Sequence, residues 1–296
     1  MQKRTWKKYN QNLVNRGSLT FFIDKEALKP LCQKKKSRGR PKCFADPLIQ
    51  LLLILKIQYR LTYRSLEGFG KSILPLLKSG VLLPTYSLIC KRASSMEALL
   101  PKLSLRRPSV ILIDSSGIKV HGEGEWKVKM HGKSKRRKWI KIHIAVDAIS
   151  QEIIDLEFTE SSVADCTAGA KIIAKCPKSA TSYLADGAYD TKQCREAIAK
   201  KGARALIPPR KNGRKLPGME ERNRAISERK GLGSDEVGLS LWGKLTGYSK
   251  RALVETGFSR LKTLYGGQFY SRKLTTQKVE GHLKGLMMNE MLRKVG

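Results

Sequence analysis

The stretch SVILIDSSGIKV, residues 109–120, carries an apolar run, Val110 to Ile113, that ends on Asp114 before Ser115, Ser116 and Gly117. A short β-branched run of this kind, bounded by turn residues, predicts a strand buried on both faces. WIKIHIAVDAI (139–149) and EIIDLEFTE (152–160) continue the series as two more strands. CTAGAKIIAKC (166–176) has helical spacing, and TSYLADGAYD (181–190) predicts a buried strand that ends in a turn. TKQCREAIAKKG (191–202) predicts a helix closed by Gly202, and ARALIPP (203–209) a further strand. The order β-β-β-α-β-α-β, followed by a C-terminal helix, predicts an α/β (α+β) core with a mixed sheet covered by helices. Residues 210–242 are basic, Gly-rich and weakly periodic, and are expected to form a loop or insertion.

Upstream of the strands the period changes. From Asp46 to about Leu100 apolar residues recur at helical spacing, with breaks near Gly80 and Pro84. LPTYSLICKRASSMEALLP (83–101) predicts a turn and then a helix exposing Lys91 and Arg92. This pattern fits a helix-turn-helix reader of DNA and equally an ordinary small helical domain. Residues 1–42 hold 13 Lys or Arg against two acids. Within them SRGRPK (37–42), with Arg38 and Arg40, reads either as a minor-groove arm or as a solvated basic linker. The expected division is a basic arm over 1–45, a mainly helical DNA-binding region over 46–105, and a catalytic domain over 106–296 with a basic insertion near 210–245.

Composition narrows the partners. The 296 residues hold 59 Lys or Arg against 25 Asp or Glu, a formal net charge of +34. Such a surplus repels itself unless a polyanion is near, and nucleic acid is the expected one. No apolar stretch is long enough to span a bilayer, and no h-region follows the basic N-terminus. A soluble cytoplasmic protein without membrane partners, associated with a prokaryotic nucleoid, is the expectation. The six cysteines contain no C-x-x-C pair and build no zinc spacing with the four histidines, so reduced structural thiols are expected.

Two carboxylates stand out. Asp114 and Asp186 each end a strand that reads as buried, where an ionised carboxylate is costly unless neutralised. A hard divalent cation would resolve the repulsion between two such groups; a turn-forming role is the competing reading for either alone. GYSKRALVETGFSRLK (247–262) supplies a third element. Read as one α-helix, it sets Tyr248, Arg251, Glu255 and Lys262 within a stripe of roughly 60°. That face combines an acid that could bind metal with two cations that could hold phosphates, or it is a solvated face with local ion pairs.

Asp114 in LIDSSGIKV, the segment 122–147, Asp186 in DGAYD and the spacing Tyr-x2-Arg-x3-Glu-x6-Lys together resemble the insertion-sequence DDE transposases, most closely insertion sequence family five. The resemblance covers about residue 108 to the C-terminus, and more loosely the N-terminal region. It implies a ribonuclease-H-like core in which Asp114, Asp186 and Glu255 form the catalytic, metal-holding triad for two Mg²⁺ ions, with Mn²⁺ as a substitute. One ion would activate water or a 3′-hydroxyl and the other would stabilise the leaving oxygen. It further implies binding to the element's terminal repeats and to target DNA, as a homo-oligomer. Arg251 and Lys262 would hold phosphates, with Tyr248 supporting the grip or packing the helix. The run KSKRRK, with Lys133, Lys135, Arg136, Arg137 and Lys138, would face DNA. Trp126 and Trp139 flank it and would stack on an unpaired base or belong to the core.

Asp147, at the end of the second strand, is the best alternative third ligand. A ribonuclease-H-like nuclease without strand transfer and an inactive DNA-binding remnant are the competing functions.

Overall fold

The computed structural model describes residues 5–18, 20–23, 25–29, 43–76, 80–120, 139–210, 212–233 and 235–294. It falls into two compact units, Lys102–Gln268 and Met1–Pro101 with Phe269–Gly296. The chain therefore passes from one unit to the other twice.

The sheet unit is built on β1 (Val110–Val120), β2 (Trp139–Asp147), β3 (Ile153–Glu160), β4 (Ser182–Leu184) and β5 (Arg204–Leu206). They run in the order β3-β2-β1-β4-β5, with β1–β2 and β2–β3 antiparallel and β1–β4 and β4–β5 parallel. This is a ribonuclease-H-like core with the mixed sheet that the order of sequence segments predicts. Residues alternate across β1. Ile111 and Ile113 join a core with Ile172 and Ile173 of α5 (Asp165–Lys175) and Cys194 and Ile198 of α6 (Lys192–Ala199). Each such aliphatic side chain contributes about 1.5–3 kcal/mol on burial. The opposite face takes the helix that follows the 3₁₀ turn Tyr248–Ala252, α9 (Leu253–Tyr265), whose Gly257 lies over Ile144 and Val146 of β2.

Two readings are corrected here. Residues 210–245 are not simply a loop: they hold α7 (Glu220–Gly231) and α8 (Asp235–Thr246). Besides the buried Ala225, Ile226 and Trp242, they are fastened by polar contacts: Arg222 reaches Asp190, Arg229 donates to the Pro209 carbonyl, and the Trp242 indole of α8 donates to Glu228 of α7. A helix anchored by charges, as α7 is, lacks the apolar stripe that sequence periodicity detects. Nor is 247–262 one α-helix. Gly247, at φ 76°, turns the chain into the 3₁₀ segment, and α-helical geometry begins only at Leu253.

The helical unit contains α1 (Trp6–Asn15), α2 (Asp46–Gln58), α3 (Tyr63–Leu76), α4 (Tyr86–Ala93) and α10 (Leu274–Arg293). Leu48, Ile49, Leu52, Leu66, Ile89 and Met96 share one core with Val279 and Leu283 of α10. The last helix, grouped in sequence with residues 106–296, thus packs with the N-terminal helices. Within this unit Glu280 accepts from the backbone N–H groups of Tyr270 and Ser271 and pairs with Lys284 at 2.8 Å. Among the described residues all cysteines are free thiols, and no helix is long and apolar enough to cross a membrane.

Candidate active site

The parallel register pairs Leu112 with Leu184. Two residues further along each chain stand Asp114, still in β1, and Asp186, just past the end of β4. Each follows an apolar run, Val110 to Ile113 and Tyr183 to Ala185, so the register of two neighbouring interior strands brings the acids level. Asp114 Oδ1 accepts the Ser115 N–H at 2.8 Å, and its Oδ2 accepts from Arg251 at 3.0 Å. Burial raises the Asp114 carboxyl above its usual range and the charge of Asp186 adds to this, against the pull of the Ser115 N–H and of Arg251. Asp186 caps the 3₁₀ turn Gly187–Tyr189, accepting the Ala188 N–H at 2.9 Å.

That turn is held from below. A Cβ on Gly169 of α5 would lie 2.5 Å from the Tyr189 ring, so only glycine lets this fully buried tyrosine seat. Tyr189 is a support that sequence reading missed; the signal available was the Gly in CTAGAKII beside the Tyr in DGAYD.

The 3₁₀ turn delivers the next residues. Arg251 bonds Asp114, and its other terminal nitrogen lies 3.9 Å from Glu255. One guanidinium therefore reaches both Asp114 and Glu255. Glu255 itself is exposed on the first turn of α9. Tyr248 is half-buried, its ring 5.5 Å from Trp242 and its hydroxyl against Arg251; burial pushes the phenol up to about 12. Lys262 donates to Ser116 Oγ at 2.8 Å. Ser116 is a second missed residue. It lies two positions beyond Asp114 on β1, and period-2 alternation puts both on one face.

Asp114, Asp186, Arg251 and Tyr248 are thus together, with Glu255 and Lys262 along the same helix. Among the described residues no group of three or more metal-ligating side chains is gathered. Asp147 is not part of this cluster: it caps the β2–β3 turn, accepting from the N–H groups of Ile149 and Ser150 and from Ser150 Oγ at 2.6 Å. Asp165 pairs with Lys141, and Asp190 with Arg195 and Arg222. Trp139 is partly exposed across Gly117, with the Lys119 ammonium 5.7 Å from its ring centroid. In the helical unit Lys91 is exposed, but Arg92 is not the free surface cation expected. It bonds the Asp46 carboxylate and the Phe44 carbonyl, which ties α4 to α2. Arg38, Arg40, Trp126, Lys133, Lys135, Arg136, Arg137 and Lys138 lie outside the described residues.

Asp114 and Asp186 thus stand level on neighbouring strands of the mixed sheet, with Arg251 bonded to Asp114 and Lys262 to Ser116 beside it. The chain belongs to the transposase DDE domain family: a family model of that description matches residues 105–289, and a second of the same description matches 14–123. It is accordingly an enzyme of metal-dependent DNA transposition. Among solved structures it is similar to a piggyBac transposase synaptic complex with hairpin DNA, at 11% identity and a TM-score of 0.42, over 95% of this chain and 74% of that one. It is also similar to the Mos1 mariner paired end complex with Mn, at 12% identity and a TM-score of 0.24, over 85% of this chain and 88% of that one.

Proposed function

We propose that this chain is the transposase of an insertion sequence of the family-five type, acting as a homo-oligomer on DNA. It binds the element's terminal inverted repeats, cleaves at the ends and joins the freed 3′-hydroxyls to target DNA. Asp114, Asp186 and Glu255 are the catalytic residues and would hold Mg²⁺, with Mn²⁺ as a substitute. The observation that carries this reading is the level pair Asp114 and Asp186, with Arg251 lodged between Asp114 and Glu255. The donor set suits the ion. It is all oxygen, as hard divalent cations prefer, and it already draws a cation, the Arg251 guanidinium, between two of its acids. Bound there, Mg²⁺ would supply charge stabilisation for an in-line displacement at phosphorus.

The remaining roles belong to side chains of this protein. Arg251, released from Asp114, is placed to grip a DNA phosphate through its planar fork. Lys262 of α9, bonded to Ser116 two residues beyond Asp114, continues that grip as a point charge. Tyr248 packs on Trp242 and positions Arg251 by its hydroxyl. Lys133, Lys135, Arg136, Arg137, Lys138, Arg38 and Arg40 add to a basic DNA-binding surface, and Trp139 offers a partly exposed ring for stacking. The enzyme works at the nucleoid of a prokaryotic cytoplasm.

The test is cleavage and strand transfer on duplexes carrying the ends of the element that encodes this chain, with Mg²⁺, Mn²⁺ or EDTA, beside Asp114→Asn. Metal-dependent joined products that vanish in the variant are expected. Cleavage without joining would make the protein a nuclease, and end binding without cleavage under any metal would make it a remnant. Glu255→Gln tests the third acid: undiminished cleavage in that variant removes Glu255 from the site.

A further inference from the structure

The segment between β5 and the 3₁₀ turn has a side that the catalytic reading leaves unused. One side of α8 is bedded against its own unit. Gly238 lies so close to α7 that a Cβ there would stand 2.3 Å from the Arg229 carbonyl, and Gly238, Trp242 and Gly243 are all buried. The Trp242 indole donates to Glu228, and its ring meets that of Tyr248 at 5.5 Å. The other side of this well-anchored helix is open. Val237, Leu241 and Leu245 are 51%, 38% and 75% exposed. Recurring every fourth residue, they form one apolar row about 12 Å long. Beside it runs a second exposed row, Glu236, Ser240 and Lys244. Among the described residues neither Glu236 nor Lys244 has an ion-pair partner.

We infer that this side of α8 pairs with the same side of α8 in a second copy of the chain, the two helices running antiparallel about a two-fold axis. Under that operation each row is its own complement. Leu241 meets the partner's Leu241 on the axis, Val237 meets the partner's Leu245, and Ser240 meets the partner's Ser240. Glu236 meets the partner's Lys244, and by symmetry the same pair forms a second time. This is isologous geometry, in which one patch serves both copies and the assembly closes as a dimer. A parallel arrangement would instead set like charges side by side. Charge also argues against nucleic acid as the occupant: in a chain of net +34, α8 holds two acids, Asp235 and Glu236, against the single base Lys244. An apolar row in that setting suits a like surface and not a phosphate backbone. The inference deepens the homo-oligomer of the proposed function by naming a contact for it, and it is argued from the helix alone, without DNA. A single helix of 12 residues offers less than the roughly 800 Å² that each partner gives to a standard interface, and two copies of so basic a chain repel one another. The pairing is therefore weak, with a dissociation constant on the order of 10 μM once salt screens the repulsion.

The probe is the full chain, freed of DNA and metal, followed by sedimentation equilibrium from about 2 to 200 μM in about 0.5 M salt. Wild type should pass from monomer to dimer across this range. Leu241→Glu sets two carboxylates on the axis and should weaken the dimer about a hundredfold, while the melting temperature stays at that of wild type because the position is exposed. Glu236→Lys and Lys244→Glu should each weaken it roughly threefold to tenfold. Combining both changes in one chain should restore the wild-type constant to within about twofold. An equimolar mixture of the two single variants should do the same, because each then meets its opposite charges on the other; a fault in folding would not be repaired by mixing. The inference is overturned if wild type stays monomeric throughout, if Leu241→Glu associates as wild type does, or if neither the double variant nor the mixture recovers. A chain that joins DNA ends yet stays monomeric here leaves the proposed function standing and overturns this inference alone.

Discussion

Asp186 and Asp190 are four residues apart in DGAYD, yet their surroundings differ in charge balance and in access to water. Asp190 is fully buried, with Arg195 at 2.7 Å and Arg222 at 2.9 Å, both nearly as buried. Those arginines spend further N–H groups on the Ile207 and Arg214 carbonyls. One acid meets two cations, every partner is internal, and the result anchors α6 and α7 to the sheet. Asp186 faces the other way in charge. It lies within charge range of Asp114, whose carboxylate pairs with the single guanidinium of Arg251, and Asp114 and Arg251 keep roughly a fifth of their side-chain surface open. A buried acid met by two cations is structure, whereas the open acids are, on the proposed function, where a further cation would bind.

Exchanging one acid from each cluster breaks the comparison most sharply. Asp190→Asn leaves two buried guanidinium groups without their counter-charge and should cost about 3–5 kcal/mol in unfolding free energy, read by urea denaturation. Asp114→Asn should leave that stability within about 1 kcal/mol of wild type, since burial already disfavours its charge. It should nevertheless reduce end cleavage about a thousand-fold, the rate equivalent of several kcal/mol of lost charge stabilisation. If the two variants instead lose stability equally, charge balance does not separate the clusters.

The pair Glu280–Lys284 of the helical unit adds a balanced, buried case. Burial alone would raise the Glu280 carboxyl, but Lys284 and the N–H groups of Ser271 and Tyr270 hold it below the usual range. A lowered folded-state value means that its contribution is present above the unfolded value of about 4.3 and lost as pH falls through the folded one. Glu280→Gln should therefore cost about 1–3 kcal/mol at pH 7. Its melting curve should converge on that of wild type under acid conditions, and a gap that persists at low pH would assign the loss to packing.

The smallest effect is expected at Arg251. In the metal-free chain Arg251→Met removes a partly exposed pair, worth about 1 kcal/mol or less. Its use lies in the response to Mn²⁺, since freeing Asp114 removes a competing cation. The rise in melting temperature with Mn²⁺ should be larger in the variant, and an equal or smaller rise would show that Arg251 does not compete for the acids.

The succession of strands and helices along the chain was legible because β-branched runs write strands directly into sequence, and the two aspartates because each interrupts an apolar run at its end. What escaped reading depends on polar partners or local geometry. Arg222 and Arg229 hold α7 through ion pairs and hydrogen bonds, which leave no periodic apolar signal. The contact of Arg251 with Asp114 follows from a 3₁₀ turn, whose residues do not advance by the 100° of an α-helix. Arg92 looked exposed because its partner Asp46 lies 46 residues away.

The return of α10 to the helical unit bears on how this chain is made. Val279 and Leu283 finish a core whose other members were synthesised some two hundred residues earlier. While the ribosome is still working, the N-terminal helices wait with that core open, and the sheet unit has every one of its acids before the helical unit is complete. A reading frame cut short after residue 268 would keep Asp114, Asp186 and Glu255 and still leave the N-terminal helices without their closing layer. In a gene shortened at its 3′ end, an unbroken set of acids is therefore no sign of a working product.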